Sequence, residues 1–301
     1  MDPLPPGVLV VAGATCSGKT ALAIELAERF DAEIVGADSR QIYRGMAIGT
    51  AAPTFAERAR VAHHLVEFLD PFERYSAARF TRDALDAIAA IRARGKHAIV
   101  AGGTGFYIRA LCGDVLLSPA FDATLRARLE REARLHPPEV LHAWLHARDP
   151  RRASMVAPTD TYRIARALEI ALAERAHPGA PVAAQASLPS LRVPVLKVVL
   201  SVADEDLERR IEARVDAMLA AGLVAEAERI GPGAVAADAV GYPQALAFLA
   251  GASTGPELRA SLVRATRRYA KRQRTWFRSE PHVRFLGAAE VGDAAHATLG
   301  W

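Results

Sequence analysis

An unbroken apolar run, Val8-Leu9-Val10-Val11-Ala12, leads into a glycine and predicts a strand over 8–13, buried on both faces. In the next segment, "GKTALAIELAERF", Leu22, Leu26 and Phe30 recur at helical spacing. "AEIVGAD" predicts a second strand, 32–38, ending in Asp38. Residues 80–95 predict a helix with Gly95 as its C-cap. "HAIVAGGTG" predicts a third strand, 97–105, that runs into another glycine loop. Strand and helix alternating in this way imply a parallel sheet covered by helices.

From about residue 118 the pattern changes. Residues 121–135, 138–147 and 160–175 have helical periodicity with no strand between them, and end in the Pro/Ala/Ser-rich stretch "HPGAPVAAQASLPS", 177–190. A β-branched strand, 193–202, then returns, followed by helices at 204–221, 243–250 and 257–278 and a short strand at 282–286. The expected fold class is therefore α/β. Residues 1–117 and 191–301 form a parallel-sheet core with helices on both faces, and 118–190 form an inserted all-helical domain.

Composition excludes more than it assigns. The 301 residues are 51% hydrophobic and 24% charged, ordinary for a globular protein. No uncharged apolar stretch is long enough to cross a membrane, and the segment before Val8 lacks the basic flank of a signal peptide. Two cysteines, Cys16 and Cys112, make neither a disulfide framework nor a zinc site. A cytoplasmic location is expected. The net charge is +4 and the pI about 9.3. The bases are 34 Arg but only 4 Lys, and one of those four is Lys19.

Lys19 completes Gly13-Ala14-Thr15-Cys16-Ser17-Gly18-Lys19-Thr20, a match to G-x-x-x-x-G-K-[ST] with a strand before it and a helix after it. Glycines let such a loop curl so that successive N–H groups point at an anion, and the helix N-terminus adds positive partial charge. Lys19 supplies a mobile charge and the Thr20 hydroxyl can ligate Mg²⁺. The core is thus expected to resemble the P-loop NTPases and to bind a diphosphate or polyphosphate. Kinases, nucleotide hydrolases and transferases share this cradle, so it does not name the reaction. Asp38 is the acidic residue best placed at a strand end, and the polar segment "SRQIYRGMAIGTAAP" after it suits a second substrate better than a water.

Further along, Arg264, Arg267, Arg268, Lys271, Arg274 and Arg278 share one arc of a helix, with Leu258, Leu262, Tyr269, Trp276 and Phe277 opposite. Residues 257–278 hold a single acid, Glu257, too few for a face laced with salt bridges, and the stripe suits an RNA backbone. The pair His63-His64 has no spaced carboxylate or cysteine beside it and reads as structural.

Together "GATCSGKT", "ADSRQIYRGMAIGTAAP", "YSAARF", "VAGGTGFYIRAL", "RIARALEI" and "RRYAKRQRTWFR" resemble the tRNA dimethylallyltransferase family, bacterial type, over roughly residues 8–286. The resemblance implies transfer of a dimethylallyl group from its diphosphate to N6 of the adenine 3′-adjacent to the anticodon, with release of pyrophosphate. It implies Asp38 as the base, Thr104 as its partner at the reacting amine, and Lys19 with Mg²⁺ at the leaving group. Diphosphate would be held by Gly13 to Thr20 and by Arg214 and Arg210, which share a helix face. tRNA would meet Asp38, Ser39, Arg40, Gln41 and Thr104, the "YRIAR" stretch (Tyr162, Arg163, Ile164, Ala165, Arg166), Arg126, and Arg267, Arg268 and Lys271. The target adenine must leave its stack to be reached. A monomer acting on tRNA and dimethylallyl diphosphate, without a membrane, is expected. An adenylate isopentenyltransferase acting on free AMP, ADP or ATP, a small-molecule kinase, and a nucleotide-switched RNA-binding module are the alternatives. The sequence departs from the usual family pattern at Ala52, Thr159, Tyr162 and Pro243.

Overall fold

The computed structural model describes residues 7–115, 117, 123–176 and 186–301. In chain order the first half runs β1 (Val8–Ala12), α1 (Lys19–Arg29), β2 (Ala32–Gly36), α2 (Ala47–Thr50), α3 (Phe55–Arg60), β3 (His63–His64), α4 (Ala77–Ala93), β4 (His97–Gly102) and α5 (Gly105–Leu111). Four helices follow, α6 (Ala123–Leu135), α7 (Pro138–Arg148), α8 (Pro150–Ala153) and α9 (Thr161–Ala176). The chain then continues through β5 (Val195–Leu200), α10 (Asp204–Ala220), α11 (Leu223–Ile230), a 3₁₀ turn (Val235–Asp238), α12 (Tyr242–Leu249), α13 (Gly255–Arg278), β6 (Val283–Leu286) and α14 (Ala288–Leu299).

The strands form one parallel sheet in the order β3-β2-β4-β1-β5-β6. Alternation along β1 explains its continuous apolarity. Val8, Val10 and Ala12 pack with Phe80, Ile88 and Ile91 of α4 and with α5 on one face. Leu9 and Val11 pack with Leu22, Ile24 and Leu26 of α1 and Val291 and Ala295 of α14 on the other. Both faces are covered, as parallel sheets require. A third apolar cluster joins α10, α11, α12 and α13 to Ile42, Tyr43 and Met46.

Residues 1–115 and 186–301 form one compact unit and 116–185 another. The second unit is helical among its described residues, with Leu129, Leu141, Leu145, Ile164 and Leu168 at its centre. Residues 118–122 and 177–185, within the predicted helix start and linker, lie outside the described residues.

The predicted strands and long helices stand within a few residues of their expected bounds. Helix α13 begins at Gly255, where the Glu257 carboxylate accepts the Thr254 N–H at 2.7 Å and Pro256 sits in the first turn. Arg94, not Gly95, caps α4, and Gly95 follows it in the left-handed region at φ +77°. Pro243 sits in the first turn of α12, where a missing N–H costs nothing. The pattern had not predicted α5, α11, α14 or the two-residue β3; α14 is rich in alanine and carries Gly292, so its apolar stripe is faint.

Candidate active site

In a parallel sheet all the strands end at one edge, and the spatial order β2-β4-β1 makes three successive strand ends neighbours. The loop Gly13–Gly18 leaves β1, Asp38 follows β2, and Thr104 follows β4. The register pairs Gly36 with Ala101 and Ala12 with Gly102, so the three segments leave the sheet at nearly the same height. Gly102 permits this approach, because a Cβ there would overlap the Ala37 carbonyl.

The phosphate loop is braced from several directions. Gln273 of α13 is buried; its Oε1 accepts the Thr15 N–H at 2.7 Å and its Nε2 donates to the Gly103 carbonyl at 2.9 Å. Arg214 of α10 donates to Thr15 Oγ1 at 3.0 Å, and Arg210 to the Ser17 carbonyl at 3.3 Å. Lys19 Nζ donates to the Ala14 carbonyl at 2.7 Å. Burial pushes the Lys19 ammonium down to about 8, with Asp38 opposing and Arg214 adding to the shift.

Asp38 and Thr104 meet through the segment between them. Asp38 Oδ1 accepts the Arg40 N–H at 2.9 Å. Thr104 Oγ1 accepts the Ser39 N–H at 2.9 Å and donates to Ser39 Oγ at 3.2 Å. Gln41 Nε2 donates to the carbonyls of Thr50 and Ala51, at 3.2 and 2.9 Å, and Arg40 is paired with Asp238 at 2.7 Å. Lys19, Thr20, Asp38, Gln41, Arg214 and Tyr269 line one cavity of about 400 Å³. Burial, and then the Asp38 carboxylate, raises the Tyr269 phenol above its ordinary value.

Sequence reasoning missed Gln273, Tyr269 and Glu226 as parts of this site. Gln273 carried a signal, a lone amide on the apolar face of a helix otherwise studded with bases. Glu226, buried on α11, accepts Ile48 N–H at 3.0 Å, Gly49 N–H at 2.7 Å and the Tyr242 hydroxyl at 2.7 Å. It thereby holds α2, whose end supplies the carbonyls that fix Gln41. Nothing in the local sequence joins Glu226 to Gly49.

Some expected RNA contacts are placed otherwise. Ile164 is fully buried in the helical unit and cannot touch a ligand, because α9 turns it inward. Tyr162 is exposed on the same helix, Arg163 pairs with Asp160 at 3.4 Å, and Ala165 is half-buried. Arg126 and Arg166 both reach the buried Glu169, at 3.3 and 3.0 Å. On α13, Arg267 is paired with Glu208 and Glu212 of α10, and Arg274 with Asp204 at 2.5 Å. The expectation of a face without salt bridges is thus corrected, since the acids come from a neighbouring helix. Arg264, Arg268, Lys271 and Arg278 are exposed and have no ion-pair partner among the described residues. No group of three or more metal-ligating side chains is present among the described residues, and no described helix is long and apolar enough to cross a membrane. His63 bonds the Val61 carbonyl and His64 the Glu33 carboxylate, structural contacts both.

A glycine-framed loop at the carboxyl edge of a parallel sheet, with a lysine and two arginines converging on it, defines a phosphate-loop α/β protein with a second, acid-bearing site beside the anion cradle. Comparison with known proteins narrows this. The family model described as IPP transferase matches residues 41–280, and that described as isopentenyl transferase matches 6–67. The chain is 46% identical over 299 residues to the tRNA dimethylallyltransferase of Halorhodospira halophila, covering 96% of both chains. It is 41% identical to that of Geobacter sulfurreducens, over 93% of this chain and 91% of the relative. The crystal structure of the full-length tRNA isopentenylpyrophosphate transferase of Bacillus halodurans superposes with a TM-score of 0.71 at 32% identity, covering 98% of this chain and 97% of that one. The chain belongs to the IPP transferase family.

Proposed function

We propose that this protein transfers a dimethylallyl group from dimethylallyl diphosphate to N6 of the adenine 3′-adjacent to the anticodon in tRNA. The observation that carries the reading is the meeting of an anion cradle and a carboxylate, Lys19 and Asp38, on one cavity at the carboxyl edge of the sheet. The diphosphate lies in the Gly13–Thr20 loop against Lys19, with Arg214 and Arg210 beside it. The adenine enters next to Asp38, Ser39 and Gln41. As N6 attacks the allylic carbon, the N–C bond forms and the C–O bond breaks. Asp38 takes the N6 proton, and pyrophosphate leaves into the loop. Thr104, fixed by Ser39, holds its oxygen near the reacting amine.

Thr20 fits a divalent cation. Its hydroxyl has no hydrogen bond among the described residues and lines the cavity beside Lys19, so it can give one oxygen ligand to a Mg²⁺ otherwise held by phosphate oxygens and water. Bound there, Mg²⁺ would neutralise charge on the departing diphosphate. The exposed Arg268 and Lys271 on α13, and Tyr162 and Arg163 on α9, meet the tRNA backbone. In this reading the protein acts as a monomer in the cytoplasm.

Incubation with labelled dimethylallyl diphosphate and either tRNA or AMP tests the reading. Label in tRNA alone is expected. Label in AMP alone would assign a free-nucleotide transferase, and label in neither would refute prenyl transfer. Asp38→Ala is expected to lower turnover by roughly 10²–10⁴ while leaving tRNA affinity nearly intact. Unchanged turnover would remove Asp38 as the base.

A further inference from the structure

Phe106 follows Thr104 by two residues, on the first turn of α5, and is partly exposed. Thr104 and Gly105 precede it, Gly105, Tyr107 and Ile108 are buried, and Phe106 itself is 42% exposed. Its ring is held upright from behind. Trp276 meets it edge-on, with centroids 6.5 Å apart and planes at 81°. The Arg109 guanidinium covers the indole at 4.3 Å and is itself tied to the buried Glu280 at 3.1 Å. This backing leaves the Phe106 ring partly open, against a support braced by the ring contact and the ion pair.

The platform continues a wall that begins inside the cavity. One and two helical turns before Trp276 on α13 lie Arg272 and Tyr269, the guanidinium 5.7 Å from the phenol ring. Both line the cavity that holds Asp38. Aromatic rings interleaved with arginine therefore run from the carboxylate outward to Phe106. Arg268 and Lys271 lie on the adjoining strip of the same helix, exposed and without ion-pair partners among the described residues. Flat rings give an unpaired base a stacking surface whatever its identity, and neighbouring bases neutralise its phosphates.

We infer that Phe106 stacks an unpaired nucleobase adjacent to the target adenine, with Trp276 and Arg109 as its backing. The inference rests on the proposed tRNA substrate, whose loop must be held open once the target base has left its stack. Phe106 is a positioning residue, because it orients the strand rather than touching the reacting atoms.

The test is binding of a tRNA anticodon stem-loop that carries 2-aminopurine next to the target adenine, with the parent protein and with Phe106→Ala, Phe106→Leu and Phe106→Tyr. The parent is expected to change the 2-aminopurine fluorescence on binding, and Phe106→Tyr to match it. Phe106→Ala and Phe106→Leu are expected to lose that signature and bind about 5- to 100-fold more weakly. All variants should keep the parent's melting temperature and should bind pyrophosphate to within about twofold of it, because the side chain lies outside the phosphate loop. Parental fluorescence and affinity in Phe106→Leu would overturn the inference, as would a parent complex with no fluorescence change. The readout needs no transfer chemistry, so failure of label transfer to tRNA would count against the proposed function and not against the platform.

Discussion

Replacing Gln273 by leucine removes a side chain that ties the phosphate loop to the turn after β4. Leucine is close in volume, so the change isolates the amide. It deletes a 2.7 Å bond from the Thr15 N–H and a 2.9 Å bond to the Gly103 carbonyl. The Gly103 bond is buried and the Thr15 bond partly so. An unsatisfied buried polar group costs about 1–3 kcal/mol, and the half-solvated one falls at the low end, so the sum is about 2–4 kcal/mol. With an unfolding entropy of about 0.5 kcal/mol/K for a unit of this size, the melting temperature should fall by about 4–8 °C. The functional effect should be larger for the diphosphate than for tRNA, because Thr15 belongs to the cradle. Melting by calorimetry and inhibition by pyrophosphate measure the two. Gln273→Glu, which keeps an acceptor but loses the donor and places a second carboxylate near Asp38, should weaken pyrophosphate binding at least as much. A leucine variant that melts within about 1 °C of the parent and binds pyrophosphate equally well would refute the bracing role.

Burial pushes the Lys19 ammonium down to about 8, and a bound diphosphate would hold the proton. Binding should therefore take up a proton above pH 8. Pyrophosphate affinity should weaken by up to about tenfold per pH unit from there, and a flat profile between pH 7.5 and 9.5 would contradict this. Replacing Arg264, Arg268 and Lys271 by alanine should lower the salt slope of tRNA binding by up to about 2–3; an identical slope would leave this face to solvent. Arg267→Ala should change that slope less, since Glu208 and Glu212 already occupy its guanidinium. Glu226→Gln puts an amide N–H against one of three donors and should raise the KM for tRNA through α2 and Gln41, with diphosphate affinity held. Equal loss for both substrates would show a general defect.

Much of the core was legible because its signals are local. Continuous apolarity marked β1 and β4, helical spacing marked α1, α4 and α13, and the spacing of Gly13, Gly18 and Lys19 marked the cradle. Each depends on residues a few positions apart, where backbone geometry alone decides which side chains share a face. Helix α14 and β3 escaped because small residues and a two-residue length leave no periodicity to read.

What tertiary structure decided is the company these residues keep. The order β2-β4-β1 sets Asp38 and Thr104 beside the loop, though 65 residues separate Ser39 from Thr104 in the chain. Packing of α10 on α13 supplied the acids that claim Arg267 and Arg274, and the core of the helical unit took Ile164. The sequence by itself determined which chemistry the chain carries. Only the fold could decide which groups share a cavity and which basic residues stay free, because burial and charge pairing depend on neighbours that no local pattern specifies.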